Sequence, residues 1–229
     1  MSKTKKNILI KFLGTSNAES SPRLGCDCEQ CVSKDKKDQR LRSCILINKK
    51  ILVDAGPDIS KQLRKNQIEN LELVLITHEH DDHCAGVKDL LKVKRNLEII
   101  RLKPGQHFKW EEIEFYAFKV KHSNSITTVG LEIGPLIYIP DFAELDWAEK
   151  YLKESKIAVL DGSFLNRNFA GHQAMNESIN QTKILKNLRK IYFTHNGHTH
   201  TPHKDMVKNV KALGGDRFGL AYDGLEITI

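Results

Sequence analysis

The run His78-Glu79-His80-Asp81-Asp82-His83 places three histidines and two aspartates within six residues. The H-x-H-x-D-H spacing brings alternate side chains of a tight turn toward one point. Imidazole nitrogens and carboxylates are ligands for zinc, manganese or iron. An apolar stretch, Leu73–Thr77, precedes the run, and Cys84-Ala85-Gly86 follows it. This context favours a metal site over an exposed histidine-rich loop.

Other histidines and aspartates follow apolar stretches that read as strands. His122 ends the stretch beginning at Ile113, Asp141 follows Leu136–Pro140, and His195 follows Lys190–Thr194. Because α/β folds collect functional side chains where strands end, we expect these residues to converge on the histidine run.

A second cluster consists of Cys26, Cys28 and Cys31, a C-x-C-x-x-C pattern. An odd, closely spaced set of cysteines does not indicate a disulfide framework. Three thiols supply three soft ligands, and a closed zinc site needs a fourth. By spacing alone, the fourth ligand is His198, His200 or His203. The alternative is a reactive or redox-active cluster, whose thiols would titrate freely in the folded protein.

The composition predicts a single domain. The chain has 229 residues, of which 40% are hydrophobic and 28% charged, and no stretch has linker composition, so we assign residues 1–229 to one core. The net charge of +7 suggests an anionic partner, either a small phosphate compound or nucleic acid. The segment Met1–Gly14 lacks the features of a signal peptide, and no apolar run approaches the roughly 20 residues needed to span a bilayer, so we expect a cytoplasmic protein without membrane contact.

Apolar and amphipathic stretches alternate along the chain, which predicts an α/β protein with mixed sheets covered by helices. The predicted helices are Asp58–Lys65, Ala85–Val93, Ala143–Leu152, Asn176–Leu188 and Lys204–Leu213. The predicted strands are Ile8–Leu13, Cys44–Asn48, Ile51–Asp54, Leu73–Thr77, Ile113–His122, Thr127–Ile133, Leu136–Pro140, Ile157–Asp161, Lys190–His195 and Leu225–Ile229.

The order of these motifs resembles the metallo-β-lactamase superfamily, beginning with Leu52–Gly56 and continuing through the histidine run. The resemblance implies a four-layer αββα sandwich with a dinuclear metal site at one edge. It also implies that one ion is held by His78, His80 and His122, the other by Asp82, His83 and His195, and that Asp141 bridges the two.

The chemistry expected of such a site is hydrolysis by a hydroxide that bridges two divalent ions. Asp82, as a ligand of one ion, is counted among the catalytic residues. β-Lactamases of classes B1 and B2 in this superfamily typically have Arg at the position of His83, and the sequence has no cysteine aligned as their second-metal ligand. Both departures disfavour antibiotic hydrolysis and favour phosphodiester hydrolysis. His172, in a Gly-His pair before a helix, is expected to bind the phosphate and protonate the leaving alkoxide.

The cysteine cluster narrows the resemblance. Gly14–Asn17, Pro22–Cys31 and Tyr222–Ile227 are similar to the phosphoribosyl 1,2-cyclic phosphate phosphodiesterase subfamily of phosphonate degradation. In that subfamily a Cys₃His zinc is structural, which maps the fourth ligand onto His198. Here the ion would staple the loop of residues 15–43 to the active-site edge. A branch linked to pyrroloquinoline quinone biosynthesis has the same cluster.

The sequence therefore predicts a phosphodiesterase acting on a small, cyclic phosphate ester, with two manganese or zinc ions and one structural zinc. The alternatives are a nuclease, a biosynthetic accessory protein or a di-iron oxidoreductase, and a homodimer stays open. Asp54, Asp161 and Asp223 are expected either to accept hydrogen bonds from metal-ligating histidines or to cap turns. Buried roles are expected for Cys44 and Cys84, and a surface role for His107.

Overall fold

A computed structural model describes residues 7–229 and shows two β-sheets packed face to face. The first sheet has the order β13-β1-β2-β3-β4-β5. It is antiparallel from β13 to β3 and parallel from β3 to β5. Its strands are β1 (Leu9–Gly14), β2 (Cys44–Ile47), β3 (Ile51–Val53), β4 (Leu73–Ile76), β5 (Glu98–Arg101) and β13 (Glu226–Thr228).

The second sheet has the order β12-β11-β10-β9-β8-β7-β6. It is antiparallel from β6 to β9, and its remaining strands run parallel. Its strands are β6 (His107–Trp110), β7 (Ile113–Val120), β8 (Thr128–Ile133), β9 (Leu136–Ile139), β10 (Ile157–Asp161), β11 (Lys190–Thr194) and β12 (Phe218–Leu220).

Helices cover the outer face of each sheet and complete four layers. The central strands are apolar on both faces because each is covered by the other sheet inside and by helices outside, as β4 and β9 show with every residue buried. The helices are α1 (Ile59–Lys65), α2 (Asp81–Cys84), α3 (Val87–Val93), α4 (Glu149–Glu154), α5 (Met175–Thr182) and α6 (His203–Gly214), with 3₁₀ turns at Lys36–Asp38 and Leu145–Ala148. This architecture confirms the predicted αββα sandwich.

Three packed cores hold these layers together. The central core joins the inner faces of the two sheets, with Phe12 and Tyr138 among its largest side chains. A second core lies between the second sheet and α4 to α6 and includes Phe193 and Phe218. A third lies between the first sheet and the helices α1 and α3. Since the central strands are covered on both faces, their ends are held rigidly enough to position catalytic side chains.

The structure differs from the sequence prediction mainly at the edges of the sheets. The strands β5, β6 and β12 were not predicted, and all three are edge strands whose partial exposure or short length weakens the apolar pattern. The helix predicted to reach Leu188 ends at Thr182. The Arg217 guanidinium donates hydrogen bonds to the carbonyl oxygens of Thr182, Leu185 and Leu188. It therefore satisfies acceptors at and just beyond the C-terminus of this helix, which ends earlier than predicted.

Across residues 7–229, no helix combines the length and apolar character that crossing a membrane requires. Residues 1–6, the first part of the segment Met1–Gly14, lie outside the described residues.

Candidate metal centres

The seven side chains predicted to hold a dinuclear site meet at one edge of the sandwich. His78 lies just after β4, and His122 and Asp141 lie shortly after β7 and β9. His195 follows β11, whereas His80, Asp82 and His83 come from the turn and first residues of α2. Strand ends from both sheets thus contribute to one cluster, which is where the sequence placed the chemistry.

The first predicted ligand group consists of three imidazoles. His78 Nε2 lies 2.9 Å from His80 Nδ1, and His122 Nε2 lies 3.2 Å from the same atom. A tetrahedral ion with metal–nitrogen distances of about 2.1 Å holds its nitrogens roughly 3.4 Å apart. The three nitrogens are therefore spaced almost as a single ion requires.

The second predicted ligand group combines two imidazoles with a carboxylate. His195 Nε2 lies 3.3 Å from both His83 Nε2 and Asp82 Oδ2. The His195 and His83 side chains are buried, and the Asp82 carboxylate is mostly shielded from solvent. This group has the nitrogen and oxygen donors that suit zinc or manganese.

Asp141 lies between the two groups. Its Oδ2 atom is 3.4 Å from His78 Nε2 and 2.7 Å from His83 Nε2, so one carboxylate reaches both sets of nitrogens. Among residues 7–229, neither oxygen of this buried carboxylate accepts a well-formed hydrogen bond. A buried carboxylate without hydrogen bonds is stable only next to positive charge. Two divalent ions fit this requirement, and the residues present match the donor set.

In three of the ligand rings the second nitrogen is held by a hydrogen bond, which leaves the facing nitrogen free to bind an ion. His83 Nδ1 donates to Asp54 Oδ2 at 2.7 Å, and His122 Nδ1 donates to the Gly171 carbonyl at 2.9 Å. His78 Nδ1 lies 3.0 Å from Thr77 Oγ1, whose own hydrogen goes to Asp54. Asp54 therefore has the orienting role predicted for it, and Thr77 shares that role without having been singled out.

The pKa of each imidazole in this cluster depends on its burial and on how close it lies to a carboxylate. Burial and the neighbouring imidazole of His83 lower the pKa of His78 to about 2, so His78 is a neutral ring. Burial also opposes the charged form of His83, yet Asp141 and Asp54 raise its pKa well above the ordinary value. Burial disfavours the Asp141 carboxylate, and the surrounding imidazoles still hold its pKa well below normal. The site demands positive charge around Asp141, which bound cations supply.

Backbone strain accompanies this geometry. Asp54 and His195 both adopt left-handed conformations, with φ of 67° and 54°. Gly171 has φ of 89°, and a Cβ there would lie 2.3 Å from the His122 carbonyl oxygen. Non-glycine residues in this region of φ cost about 1 to 3 kcal/mol and cluster at functional sites.

His172 lies beside this cluster and is held by Asp161. Its Nδ1 atom donates to Asp161 Oδ2 at 2.6 Å and is 3.5 Å from Asp141 Oδ1. Burial opposes the charged ring, but Asp161 raises the pKa of His172 to about 9. Asp161 was predicted to orient a metal ligand or to cap a turn. It orients His172, and its other oxygen accepts from the Ser163 amide in the turn after β10. The result is a protonated imidazole whose Nε2 remains available.

Ser163 connects His172 with His195 and was not identified from the sequence. Its hydroxyl donates to the His195 carbonyl at 3.1 Å and lies 3.1 Å from His195 Nδ1. A serine after a strand carries no distinctive pattern, so only the fold shows this role.

The cysteine cluster forms a second, separate ligand group. The three sulfur atoms of Cys26, Cys28 and Cys31 lie 3.4, 3.3 and 3.2 Å from His198 Nε2. A tetrahedral zinc with bonds of about 2.3 Å to sulfur and 2.0 Å to nitrogen separates such atoms by roughly 3.5 Å. The five cysteines are free of disulfides. Of the three histidines that spacing allowed, His198 is the one that faces the thiols.

The loop of residues 15–43 is also tied to the active-site edge by hydrogen bonds. Gln30 accepts from the Thr199 amide at 3.1 Å, and Asp38 accepts from the His203 amide at 2.6 Å. The fully buried Arg40 donates to His203 Nδ1 at 2.8 Å and to the Ala221 carbonyl. The sequence does not indicate this role of Arg40, because a lone arginine in a charged stretch has the pattern of a surface residue.

The remaining candidates occupy other places. Asp223 was predicted to orient a metal ligand, but its carboxylate accepts from the Thr15 hydroxyl and the Leu41 amide, so it anchors the loop of residues 15–43. Cys44 is buried, Cys84 is half-buried, and His107 is exposed beside Glu114 at the start of β6.

Comparisons with known proteins agree with this fold. The model of the β-lactamase superfamily domain matches residues 49–219. A diphosphatase from the PhnP family has a similar structure, with a TM-score of 0.85, 24% identity, and coverage of 98% of both chains. Zn²⁺-bound PqqB from Methylobacterium extorquens gives a TM-score of 0.79 at 19% identity, covering 96% of this chain and 100% of that one.

One curated relative extends beyond the region that matches. The octanoyltransferase of Porphyromonas gingivalis is 24% identical over 95% of this chain, which corresponds to 51% of that protein. The chain thus spans about half the length of the curated relatives it matches.

Proposed function

Because the chain belongs to the β-lactamase superfamily and is a metal-dependent hydrolase of that fold, we propose that it cleaves a small, cyclic phosphate diester. The observation that carries the proposal is Asp141, a buried carboxylate without hydrogen bonds that lies between two groups of imidazoles. We assign His78, His80 and His122 to one divalent ion, Asp82, His83 and His195 to the other, and Asp141 to both.

Two divalent cations held there would supply a nucleophile from water at neutral pH and would neutralise negative charge on a phosphate. The substrate's anionic oxygens then face the open side of the ligand cluster, beside His172. Since three of the ligand rings are tethered by hydrogen bonds from their other nitrogens, the cluster keeps its shape through the reaction.

His172 is proposed to transfer the proton. Its Nδ1–H stays on Asp161, so the proton to be transferred is the one on Nε2. That proton first bonds a phosphate oxygen and then passes to the leaving alkoxide as the phosphorus–oxygen bond breaks. Asp161 stabilises the charged ring before transfer and fixes its tautomer afterwards.

The Cys26, Cys28, Cys31 and His198 group is proposed to bind one structural zinc ion. Four protein ligands leave no position for substrate, which is the mark of a structural site. The ion would fasten the loop of residues 15–43 to the segment that begins at His195. Burial and His200 lower the pKa of His198, which favours the neutral ring that a metal needs.

The test combines metal analysis of the purified protein with a screen of cyclic and linear phosphodiesters after loading with manganese or zinc. We expect about three ions per chain, two that exchange and one held tightly. One ion per chain together with no turnover would refute the proposal. Metal binding at the expected level without turnover would favour an accessory role in biosynthesis.

The screen also addresses nucleic acid, the alternative suggested by the net charge of +7. Binding to an RNA oligonucleotide that weakens steeply with salt would indicate many phosphate contacts and a nuclease. We expect a shallow salt dependence, because the ions themselves supply the positive field at the reacting phosphate.

A further inference from the structure

Phe169 and His172 form the ends of a two-residue hairpin beside the candidate centre. The Phe169 amide donates to the His172 carbonyl at 3.0 Å, and the His172 amide returns a bond at 2.9 Å. Ala170 and Gly171 have φ of 45° and 89°, the left-handed pair typical of a type I′ turn. Residues paired in this way project their side chains on the same face, so the Phe169 ring lies on the side of His172.

The Phe169 ring is exposed and supported from one side. It is 55% exposed, and its centroid lies 5.6 Å from that of Phe164 at an interplanar angle of 78°. The Arg167 guanidinium lies 4.3 Å from the Phe164 centroid and 5.5 Å from the Phe169 centroid. An aromatic ring held against a second ring and a cation is a preorganised surface.

The loop that carries these residues is anchored at both ends. The Met175 amide donates to the Phe164 carbonyl at 2.9 Å, and the Ala174 amide donates to Asn168 Oδ1 at 2.6 Å. Asn168 also donates to both oxygens of Glu177. Because the loop is fixed, the exposure of Phe169 is a feature of the fold.

We propose that Phe169 determines specificity by stacking on an aromatic ring in the organic part of the phosphate ester. This inference rests on the proposed function, since it concerns the same site. The ring would belong to the leaving alcohol, because His172 protonates that oxygen and Phe169 shares its face. Arg167, next to the stack, adds positive charge that favours both the π system and a nearby anion. Stacking on an exposed ring is worth about 1.4 kcal/mol, or about tenfold in affinity.

The test measures binding of phosphonates, which are not hydrolysed, to the metal-loaded protein by calorimetry. Phenylphosphonate, cyclohexylphosphonate and methylphosphonate carry the same anion with an aromatic, an aliphatic or a minimal group. We expect phenylphosphonate to bind about tenfold more tightly than the other two. Phe169→Ala should abolish that preference, and Phe169→Tyr should retain it. Trp147→Ala is the matched control, since that ring is 46% exposed but lies against Lys119.

The outcomes separate this inference from the proposed function. If no phosphonate binds the metal-loaded protein while the diester screen shows turnover, the stacking inference is wrong and the proposed function stands. If all three bind and Phe169→Ala leaves their ratios unchanged, only the stacking inference is overturned. Equal affinity of the wild-type protein for the phenyl and cyclohexyl compounds would overturn the aromatic class of substrate. Unchanged metal content and melting temperature in Phe169→Ala show that the variant is folded.

Discussion

The two candidate metal centres of this protein are built in opposite ways. The dinuclear group takes nitrogen and oxygen donors largely from the ends of strands in both sheets, and all but His80 and Asp82 of its ligands are buried. The cysteine group takes three half-buried thiols from a loop and one imidazole from a distant segment. The packed sheets position the first group, whereas the second has little packing of its own.

The contrast suggests different relations to folding: packing of the sheets positions the dinuclear group, whereas we expect metal binding at the cysteine group to stabilise part of the fold. Strand ends held by three hydrophobic cores keep ligands in place with or without an ion. If the loop binds an ion through its thiols and His198, we expect it to gain further order, because metal binding then contributes to folding. Loss of metal should therefore abolish activity at the first group and lower stability at the second.

The strongest test of the contrast is Asp141→Asn, which keeps the shape of the side chain and removes the charge shared by both ligand groups. We expect turnover to fall by about 1000-fold or more, because the amide cannot balance two cations. The exchangeable metal content should fall, while the tightly held ion stays. Steady-state kinetics with metal analysis measures both. Turnover within tenfold of the wild type would show that Asp141 does not join the two groups.

His172→Ala separates proton transfer from metal binding within the first group. We expect kcat to fall by about 100- to 1000-fold with metal content unchanged. Asp161 raises the pKa of His172 to about 9, and an acid acts in its protonated form, so wild-type kcat should decline as the pH rises through about 9. The alkaline decline should be absent from the pH profile of the variant. Near-normal kcat in a fully metallated variant would remove His172 from the mechanism.

Cys28→Ser tests the second group. We expect loss of the tightly held ion and a decrease of about 3 kcal/mol in the free energy of unfolding. The effect on kcat should be less than tenfold. Chemical denaturation with metal analysis measures these changes.

Cys84→Ala is the control for this variant, since Cys84 is half-buried and outside the cluster. It should keep the tight ion. The reaction of a disulfide reagent with the thiols of Cys26, Cys28 and Cys31 provides a further check. Equal rates in the metallated protein and after chelation would contradict the zinc assignment.

The smallest expected effect concerns the contact between the loop of residues 15–43 and α6, where Arg40 donates to His203. Burial and the charge of Arg40 lower the pKa of His203 to about 4, against about 6.5 in an unfolded chain. Unfolding therefore takes up a proton between these values, so the stability that His203 contributes is lost as the pH falls from about 6.5 to 4.

His203→Gln keeps an acceptor for Arg40 and removes the titration. The variant should lose about 2 kcal/mol less stability than the wild type over that pH range. Parallel denaturation curves at several pH values measure the difference. Equal pH dependence of the two proteins would show that His203 does not hold the neutral form in the folded state.

The sequence predicted most of the interior of the fold and the edge strand β13, and it missed the other three edge strands. Central strands such as β4 and β9 are continuous apolar runs because they are buried on both faces, and such runs stand out. Edge strands such as β6 are partly exposed, so their composition resembles that of loops. Helix ends were also missed where a distant side chain, as with Arg217 at Thr182, decides where the helix stops.

The sequence by itself determined the ligand types, since the spacing of His78 to His83 and of Cys26 to Cys31 is local and each ligand chemistry belongs to a residue type. Only the tertiary structure decided which distant groups meet. His198 rather than His200 or His203 faces the thiols, Asp161 holds His172, and Asp223 anchors a loop. The physical reason is that these contacts join residues far apart in the chain, and packing of the two sheets, which no local pattern encodes, sets their distances.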